Sequence, residues 1–126
     1  MVNGCPPEMA RVQHFCIDRW EVSLVDRSTR AALSPYYPPH SRLLRRVHNV
    51  WQVERCQLGD ESARAMPLPD LPLVQGDGSF EPAAVSRPGV VPQGYFTYGL
   101  ARRACANAGK RLCTEQEWVT ACRGAR

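Results

Sequence analysis

The sequence contains no long run of apolar residues. Residues 1–7 lack the apolar core of a secretory signal peptide, and no other segment approaches the ~20 apolar residues that a helix needs to cross a bilayer. Repeats and low-complexity tracts are also absent. We therefore expect no signal peptide and no membrane span in this chain.

The sequence also lacks the close spacing that is typical of metal ligands. It has no Cys-x-x-Cys pair, and the three histidines, His14, His40 and His48, do not converge in sequence. A structural zinc site usually draws its ligands from such closely spaced pairs. The sequence therefore predicts no metal site.

Basic charge is not concentrated in one segment. Sixteen Lys and Arg against twelve Asp and Glu give a formal net charge of +4, and the basic residues are scattered. This distribution argues against a nucleic-acid-binding surface. The densest group could bind a phosphate or an acidic partner, but we interpret it as the solvated face of a short helix. It consists of Arg42, Arg45, Arg46 and His48.

The chain is rich instead in proline, glycine and cysteine. A length of 126 residues limits it to one domain at most, and eleven Pro with nine Gly predict a loop-rich fold. Six Cys in so short a chain predict disulfides, and hence an oxidising, extracytoplasmic compartment. The count leaves the pairing open. Cys5 and Cys16 flank the first predicted strand and could close a small loop.

The first strand is predicted over residues 10–23. Phe15 and Ile17 fall on one face of it, as the period of two requires. Asp18 and Glu21 could be catalytic, but acids on one strand do not by themselves specify a reaction. We favour a structural role for them, in hydrogen bonds and ion pairs to later segments.

The most strongly patterned stretch is 97–124, which predicts two short helices. Thr97 can cap the first helix, and Gly109 can end it in the left-handed conformation. Thr114 and Glu117 form a capping box for the second helix, and Gly124 is its stop signal. The predicted buried faces are Leu100, Ala101, Ala104, Cys105 and Ala108 in the first helix and Trp118, Ala121 and Cys122 in the second.

The middle of the chain gives weaker signals. Residues 34–39, Ser-Pro-Tyr-Tyr-Pro-Pro, are expected to be rigid and extended, presenting their tyrosines to a ligand or packing them at the core edge. Residues 41–58 favour a helix that gives way to an extended stretch near Trp51. Residues 66–93 carry six prolines and are predicted to hold no regular element. The valines expected to pin part of that loop to the body are Val85, Val90 and Val91.

Residues 109–124 resemble a family signature. They read Gly-Lys-Arg-Leu-Cys-Thr-Glu-Gln-Glu-Trp-Val-Thr-Ala-Cys-Arg-Gly. This is similar to the Gly-Lys-Arg-Leu-Pro-Thr-Glu-Ala-Glu-Trp-Glu-Tyr-Ala-x-Arg-Gly signature of the formylglycine-generating enzyme (sulfatase-modifying factor) family. Residues 15–23, Phe-Cys-Ile-Asp-Arg-Trp-Glu-Val-Ser, resemble the opening strand of the same family. The positions taken as a structural signature are Asp18, Glu21, Gly109, Lys110, Arg111, Leu112, Thr114, Glu117, Trp118, Arg123 and Gly124.

The resemblance implies an α+β fold that is irregular, loop-rich and similar to that of C-type lectins. Residues 1–126 would form the amino-terminal part of one such domain, incomplete in this chain. The family's catalytic cysteine pair and calcium ligands would lie in the half that follows, so the copper and calcium of the full-length domain have no ligands here. In some members, the positions of Cys105 and Cys122 pair with cysteines of that half. Cys56 and Cys113 stay unassigned, and Cys113 replaces the proline of the signature.

Two functions follow from the resemblance. In the first, the chain is a segment of an oxidase that uses a copper-bound cysteine pair and oxygen to convert a cysteine of a target protein to formylglycine. This half would then supply scaffold and part of a groove for a peptide or protein substrate, with the missing carboxy-terminal half as its partner. In the alternative, the same fold serves as a recognition or structural module without chemistry. A closely spaced cysteine pair in the following half distinguishes the two.

Overall fold

The protein is described by a computed structural model that covers residues 3–57, 61–65 and 68–124. Within these ranges the chain is a mixture of helices and short antiparallel strands, which confirms the predicted α+β class. The elements, in chain order, are β1 (Met9–Val12), β2 (Phe15–Asp18), β3 (Val22–Asp26), α1 (Ser41–Gln57), α2 (Glu61–Ala65), α3 (Leu73–Gly76), β4 (Pro82–Ser86), α4 (Tyr98–Asn107) and α5 (Glu115–Arg123).

The predicted first strand is in fact a hairpin followed by the start of a further strand. β1 pairs antiparallel with β2, so that Val12 lies opposite Phe15. The chain reverses at Gln13, whose φ of 51° lies in the left-handed region. The prediction of one strand over residues 10–23 is therefore wrong. Gln13 and His14 do not form the Asn-Gly type of pair by which a tight turn is recognised in a sequence.

A disulfide joins the amino-terminal segment to this hairpin. Cys5 and Cys16 are bonded, with their Cα atoms 5.8 Å apart, and Cys5 is fully buried. This confirms the pairing that their positions suggested. The cysteines with free thiols in the described part of the chain are Cys56, Cys105, Cys113 and Cys122.

The centre of the core is the sheet formed by β3 and β4. The strands pair antiparallel, with Leu24 opposite Ala84, and every residue of β4 is buried. Since β4 lies within residues 66–93, the prediction that this stretch holds no regular element is wrong. Pro82 occupies the first position of the strand, where the missing N–H of proline is tolerated. Because residues 66–93 are rich in proline, their sequence does not indicate the strand that they contain.

The middle of the chain differs from the prediction at two further points. α1 continues without a break through Trp51, where the sequence favours an extended stretch. Leu44 is buried and Trp51 is half-buried on the same side of α1, and the Trp51 ring lies 5.5 Å from that of Tyr37. This packing stabilises the helix beyond its local propensity. Val85 is buried as expected, but Val90 and Val91 are exposed.

The helix α4 packs on the central sheet through small residues. Ala104 is only 1% exposed and lies in one cluster with Leu24 and Ala84. Small side chains on both sides let the helix approach the sheet closely. The predicted cap is confirmed, because the Thr97 hydroxyl accepts a hydrogen bond from the backbone N–H of Leu100 at 3.1 Å. The other residues of the predicted face, Leu100, Ala101, Cys105 and Ala108, are half-buried.

The helix α5 begins at the predicted capping box but leaves its apolar face uncovered. Trp118 is 60% exposed, Cys122 is exposed, and no residue of α5 is buried. The prediction that Trp118 is a buried anchor is therefore wrong for this structure. The spacing of apolar residues marks a face that favours burial, but the neighbouring described elements do not cover it.

Two buried glutamines hold the Ser-Pro-Tyr-Tyr segment in place. Gln75 is fully buried; its Oε1 accepts from the Ser34 N–H at 2.6 Å and its Nε2 donates to the Ser34 carbonyl at 3.2 Å. Gln93 Nε2 donates to the carbonyl of Tyr37 at 3.0 Å. Because Tyr37 is buried and Tyr36 is exposed, only Tyr36 is accessible to a ligand.

Replacing Gln75 by Ala should destabilise the protein strongly. The substitution leaves the buried N–H and carbonyl groups of Ser34 without their partner, and a buried polar group left unpaired costs about 1–3 kcal/mol. We expect the free energy of unfolding in urea to fall by about 2 kcal/mol or more. Gln116→Ala, at an exposed position of α5, is the matched control and should change it by less than about 0.5 kcal/mol. Equal effects of the two substitutions would contradict this assignment.

Candidate functional site

The two segments that resemble the family signature meet at one ion pair. Lys110 Nζ donates to Asp18 Oδ1 at 2.6 Å, and 92 residues of sequence separate the two side chains. The Lys110 side chain is 11% exposed and that of Asp18 is 24% exposed, so the pair is largely sheltered from water. The ion pair that Asp18 was predicted to make with a later segment is therefore present.

The end of α4 directs Lys110 toward β2. The Lys110 N–H donates to the carbonyl of Cys105 at 2.8 Å, and the Gly109 N–H donates to the carbonyl of Ala106 at 3.0 Å. Gly109 has a φ of 69°. These are the two hydrogen bonds and the left-handed residue of a Schellman motif, which ends a helix and turns the chain away from its axis. Glycine is favoured here because other residues are strained at this φ.

Asp18 is held by an equally ordered element. It is the last residue of β2 and lies opposite Met9 in the hairpin. The next backbone N–H, that of Arg19, donates to the Glu8 carbonyl at 3.0 Å. The disulfide at Cys16 anchors the same strand. The backbone positions of both residues of the ion pair are thus fixed by ordered elements, so that the pair still costs the side-chain entropy of Lys110 but no further ordering of the backbone.

A second charged group lies immediately beyond Lys110. The two Nη atoms of Arg111 each donate to one carboxylate oxygen of Glu117 at 2.7 Å. Glu117 also accepts from the Thr114 backbone N–H at 2.8 Å, which completes the capping box. These bonds, that of Arg111 first, lower the pKa of Glu117 to about 2. A carboxylate that stays ionised in this way does not serve as a general acid or base near neutral pH.

Two free thiols lie close to these charged groups. Burial raises the pKa of the Cys105 thiol, and the nearby carboxylate of Asp18 raises it further. Burial is also the largest cause of the raised pKa of Cys113, although that residue is exposed as a whole. Both groups are therefore thiols at neutral pH. Since the thiolate is the nucleophile and the metal-binding form, neither cysteine is activated for catalysis.

The remaining signature residues do not join this cluster. Glu21 is exposed, and within the described part of the chain its carboxylate has no ion-pair partner, so the pairing expected for it is not found. Leu112 is half-buried in the link between the helices. Arg123 is exposed in the last turn of α5, and Gly124, with a φ of 71°, ends that helix as predicted.

An open cleft of about 620 Å³ lies between the beginnings of α1 and α4. Tyr95 on its wall has a φ of 60°, which is unusual for an aromatic residue. Arg103 also lines the cleft but is engaged by the carboxylate of Glu81. No sequence signal marked this cleft, because its residues come from separate segments. Its lining is formed by Pro38, Pro39, His40, Leu43, Gly78, Phe80, Pro82, Tyr95, Thr97, Gly99, Leu100 and Arg103.

Asp26, the last residue of β3, is a further carboxylate with an unusual environment. It is 2% exposed and accepts hydrogen bonds from the backbone N–H of Glu81 at 2.9 Å and from the N–H and hydroxyl of Thr29 at 3.0 and 2.7 Å. These bonds, that of Glu81 first, lower the pKa of Asp26 to about 2. Asp26 thus fixes the chain just before β4 and has a structural role.

Comparison of the chain with protein families, with characterised proteins and with solved structures finds no match. Among residues 3–57, 61–65 and 68–124, no group of three or more His, Cys, Asp or Glu side chains is placed to hold a metal ion. No helix in the same ranges is long and apolar enough to cross a membrane.

The ion pair between Asp18 and Lys110 should stabilise the protein measurably. We expect a double-mutant cycle of Asp18→Asn and Lys110→Met to give a coupling free energy of about 1–2 kcal/mol, between the values for exposed and buried pairs. A cycle of Arg111→Met and Glu117→Gln is the control, because Gln preserves the capping box and Arg111 is largely exposed. That coupling should stay below about 1 kcal/mol. A coupling near zero for Asp18 and Lys110 would remove the basis of this site.

Acid should unfold the protein through Asp26 and Glu117. Their ordinary pKa values are 3.8 and 4.5, and both are about 2 in the folded state. The unfolded state therefore binds protons first as the pH falls, so that the stability from these groups is complete above about pH 4.5 and is lost toward pH 2. The midpoint of thermal unfolding should be flat from pH 7 to 5 and then fall. Asp26→Asn should flatten that fall, whereas Glu21→Gln, at an exposed position with no ion-pair partner among the described residues, should leave it unchanged.

Proposed function

We propose that this chain supplies the amino-terminal half of a formylglycine-generating-type domain. In that domain it provides scaffold and one wall of a groove for a peptide or protein substrate. The observation that carries the proposal is the ion pair of Asp18 and Lys110, which brings the two signature segments together in space. Segments that resemble two motifs of one family would be expected to make such a contact if they form one structural unit.

The local structure of the signature residues supports the same proposal. Gly109 ends α4, Thr114 and Glu117 start α5, and Gly124 ends it. The backbone conformation or the capping hydrogen bond at each position thus explains the residue type found there. The mixed helices, short antiparallel strands and long irregular connections suit a body similar to that of C-type lectins. In this proposal the shared motif is a folding motif and carries no chemistry itself.

The chemistry of the proposed domain comes from outside these residues. Its copper, held by a pair of thiolates, would activate oxygen for the oxidation of a substrate cysteine. Copper(I) selects thiolate ligands, and the resemblance places both the family's cysteine pair and its calcium ligands in the carboxy-terminal half. We therefore assign neither copper nor calcium to the described residues and place both in the carboxy-terminal half.

The uncovered apolar surface of α5 indicates where the carboxy-terminal half of the domain would pack. Trp118 of α5 is 60% exposed, and the adjoining Val119 is 39% exposed. Large exposed apolar side chains that lie near one another typically mark an interaction surface. We assign this surface to the carboxy-terminal half of the same domain. The Cys5–Cys16 disulfide supports an oxidising, extracytoplasmic location for the assembly.

The second candidate is a recognition module without chemistry on the same fold. The observation that favours it is the open cleft between the beginnings of α1 and α4, where residues of separate segments form one concave surface. The two candidates differ in whether a thiolate pair is supplied to the domain.

The decisive experiment compares the product of the gene's complete reading frame with residues 1–126. Each is incubated with Cu(I), oxygen, a thiol reductant that supplies the two further electrons for the reduction of oxygen to water, and a cysteine-containing peptide. Release of the cysteine sulfur as sulfide leaves formylglycine, which is detected by mass spectrometry. We expect conversion by the complete product and none by residues 1–126. Asp18→Asn in the complete product should lower the yield through the scaffold, whereas Glu21→Gln should not. A complete product that holds no closely spaced cysteine pair and converts no peptide would favour the recognition module.

A further inference from the structure

The inner side of α1 anchors this helix to the body of the protein. Leu44 is buried, and His48 and Trp51 are half-buried. The rings of His48 and Trp51 lie 5.7 and 5.5 Å from the buried ring of Tyr37. This packing fixes the rotation of α1 about its axis, and it therefore also fixes which residues form the outer side.

The outer side of α1 carries unpaired positive charge. Arg42, Arg45 and Arg46 are all exposed, and none of them makes an ion pair or hydrogen bond through its side chain with another described residue. The first turn of α1 contains no acidic residue, and the partial positive charge of the helix amino terminus adds to the same end. Glu54, the one acid within α1, lies ~12 Å along the axis from Arg46.

Apolar side chains are interleaved with these arginines. Leu43, Val50 and Val53 are 42%, 43% and 55% exposed. At the ~100° per residue of an α-helix, the three aliphatic residues and the three arginines fall within one sector of roughly 160°. The aliphatic residues extend over ~15 Å along the axis. We call these six residues the outer α1 face.

The combination of positive charge and apolar surface indicates which class of partner the outer α1 face can bind. A nucleic acid offers phosphates but no apolar layer beside them. The surface of a bilayer that contains anionic phospholipids offers both, because negatively charged headgroups lie directly above the acyl chains. The positive net charge of the chain, +4, is of the sign that such a surface attracts.

We propose that the outer α1 face docks the protein on a bilayer surface rich in anionic phospholipid, with α1 lying in the plane of the interface. The arginines contact headgroup phosphates, and Leu43, Val50 and Val53 enter the boundary between headgroups and acyl chains. This function goes beyond the one proposed above and does not depend on it. It is peripheral binding and requires no membrane span.

The test is sedimentation of the whole chain with vesicles of phosphatidylcholine alone or mixed with phosphatidylglycerol. We expect binding only to the mixed vesicles, and a loss of binding as the salt concentration rises. The triple variant Arg42→Gln, Arg45→Gln and Arg46→Gln should bind about 100-fold less, since each basic residue near an anionic surface contributes about fivefold. Val50→Ser with Val53→Ser should weaken the binding that remains at high salt.

A matched triple variant distinguishes the effect of the outer α1 face on vesicle binding from the effect of net charge. Arg30→Gln, Arg87→Gln and Arg102→Gln remove the same charge from exposed positions outside α1 and should change binding less than fivefold. Circular dichroism and the unfolding midpoint establish that both variants are folded. Equal losses in the two triple variants would overturn the proposal, as would no binding to anionic vesicles. Tighter binding to DNA or to an acidic polypeptide, with the valine variant unaffected, would overturn it as well.

Discussion

The pairing of β3 with β4 is the contact on which the rest of the structure depends. It buries all of β4 and provides the surface on which α4 packs, where Ala104 lies in the same cluster as Ala84. Glu81, just before β4, binds Arg103 of α4 and also donates its backbone N–H to Asp26. Because this pairing fixes the position of α4, the residues beyond the end of α4 can reach the β1–β2 hairpin. The Asp18–Lys110 ion pair is therefore a consequence of a sheet formed by other segments.

The parts of the fold that could be predicted from sequence are those specified by local chemistry. Thr97, Thr114 and Gly109 define helix ends through bonds within a few residues, and the structure has them at those positions. β4 was missed because its stability comes from pairing with a distant strand, while the prolines around it argue locally for a loop. The same distinction between local and long-range determinants holds for the candidate site. The structural role of Asp18 was predictable, but its partner Lys110 was not, because only the fold determines that contact.

Trp118 shows what a periodic pattern does and does not determine. The spacing of apolar residues in α5 reports a preference for burial, whereas burial itself requires a covering partner, and within the described residues Trp118 stays exposed. The two surfaces to which we assign partners, one on α5 and one on α1, also differ in chemistry. The one on α5 carries the large aromatic side chain of Trp118, which suits another folded polypeptide. The outer α1 face mixes arginine with aliphatic residues, which suits a charged interface above an apolar layer.

The protonation states of three groups in the core and beside the signature segments agree with a structural role for them. Glu117 and Asp26, with pKa values of about 2, remain ionised throughout the neutral range, while the raised pKa of Cys105 keeps it protonated there. A catalytic acid or base must exchange protons near the working pH, and a catalytic thiol must ionise. Groups fixed in one state give constant hydrogen bonds and constant charge. These are the properties needed in a structural scaffold.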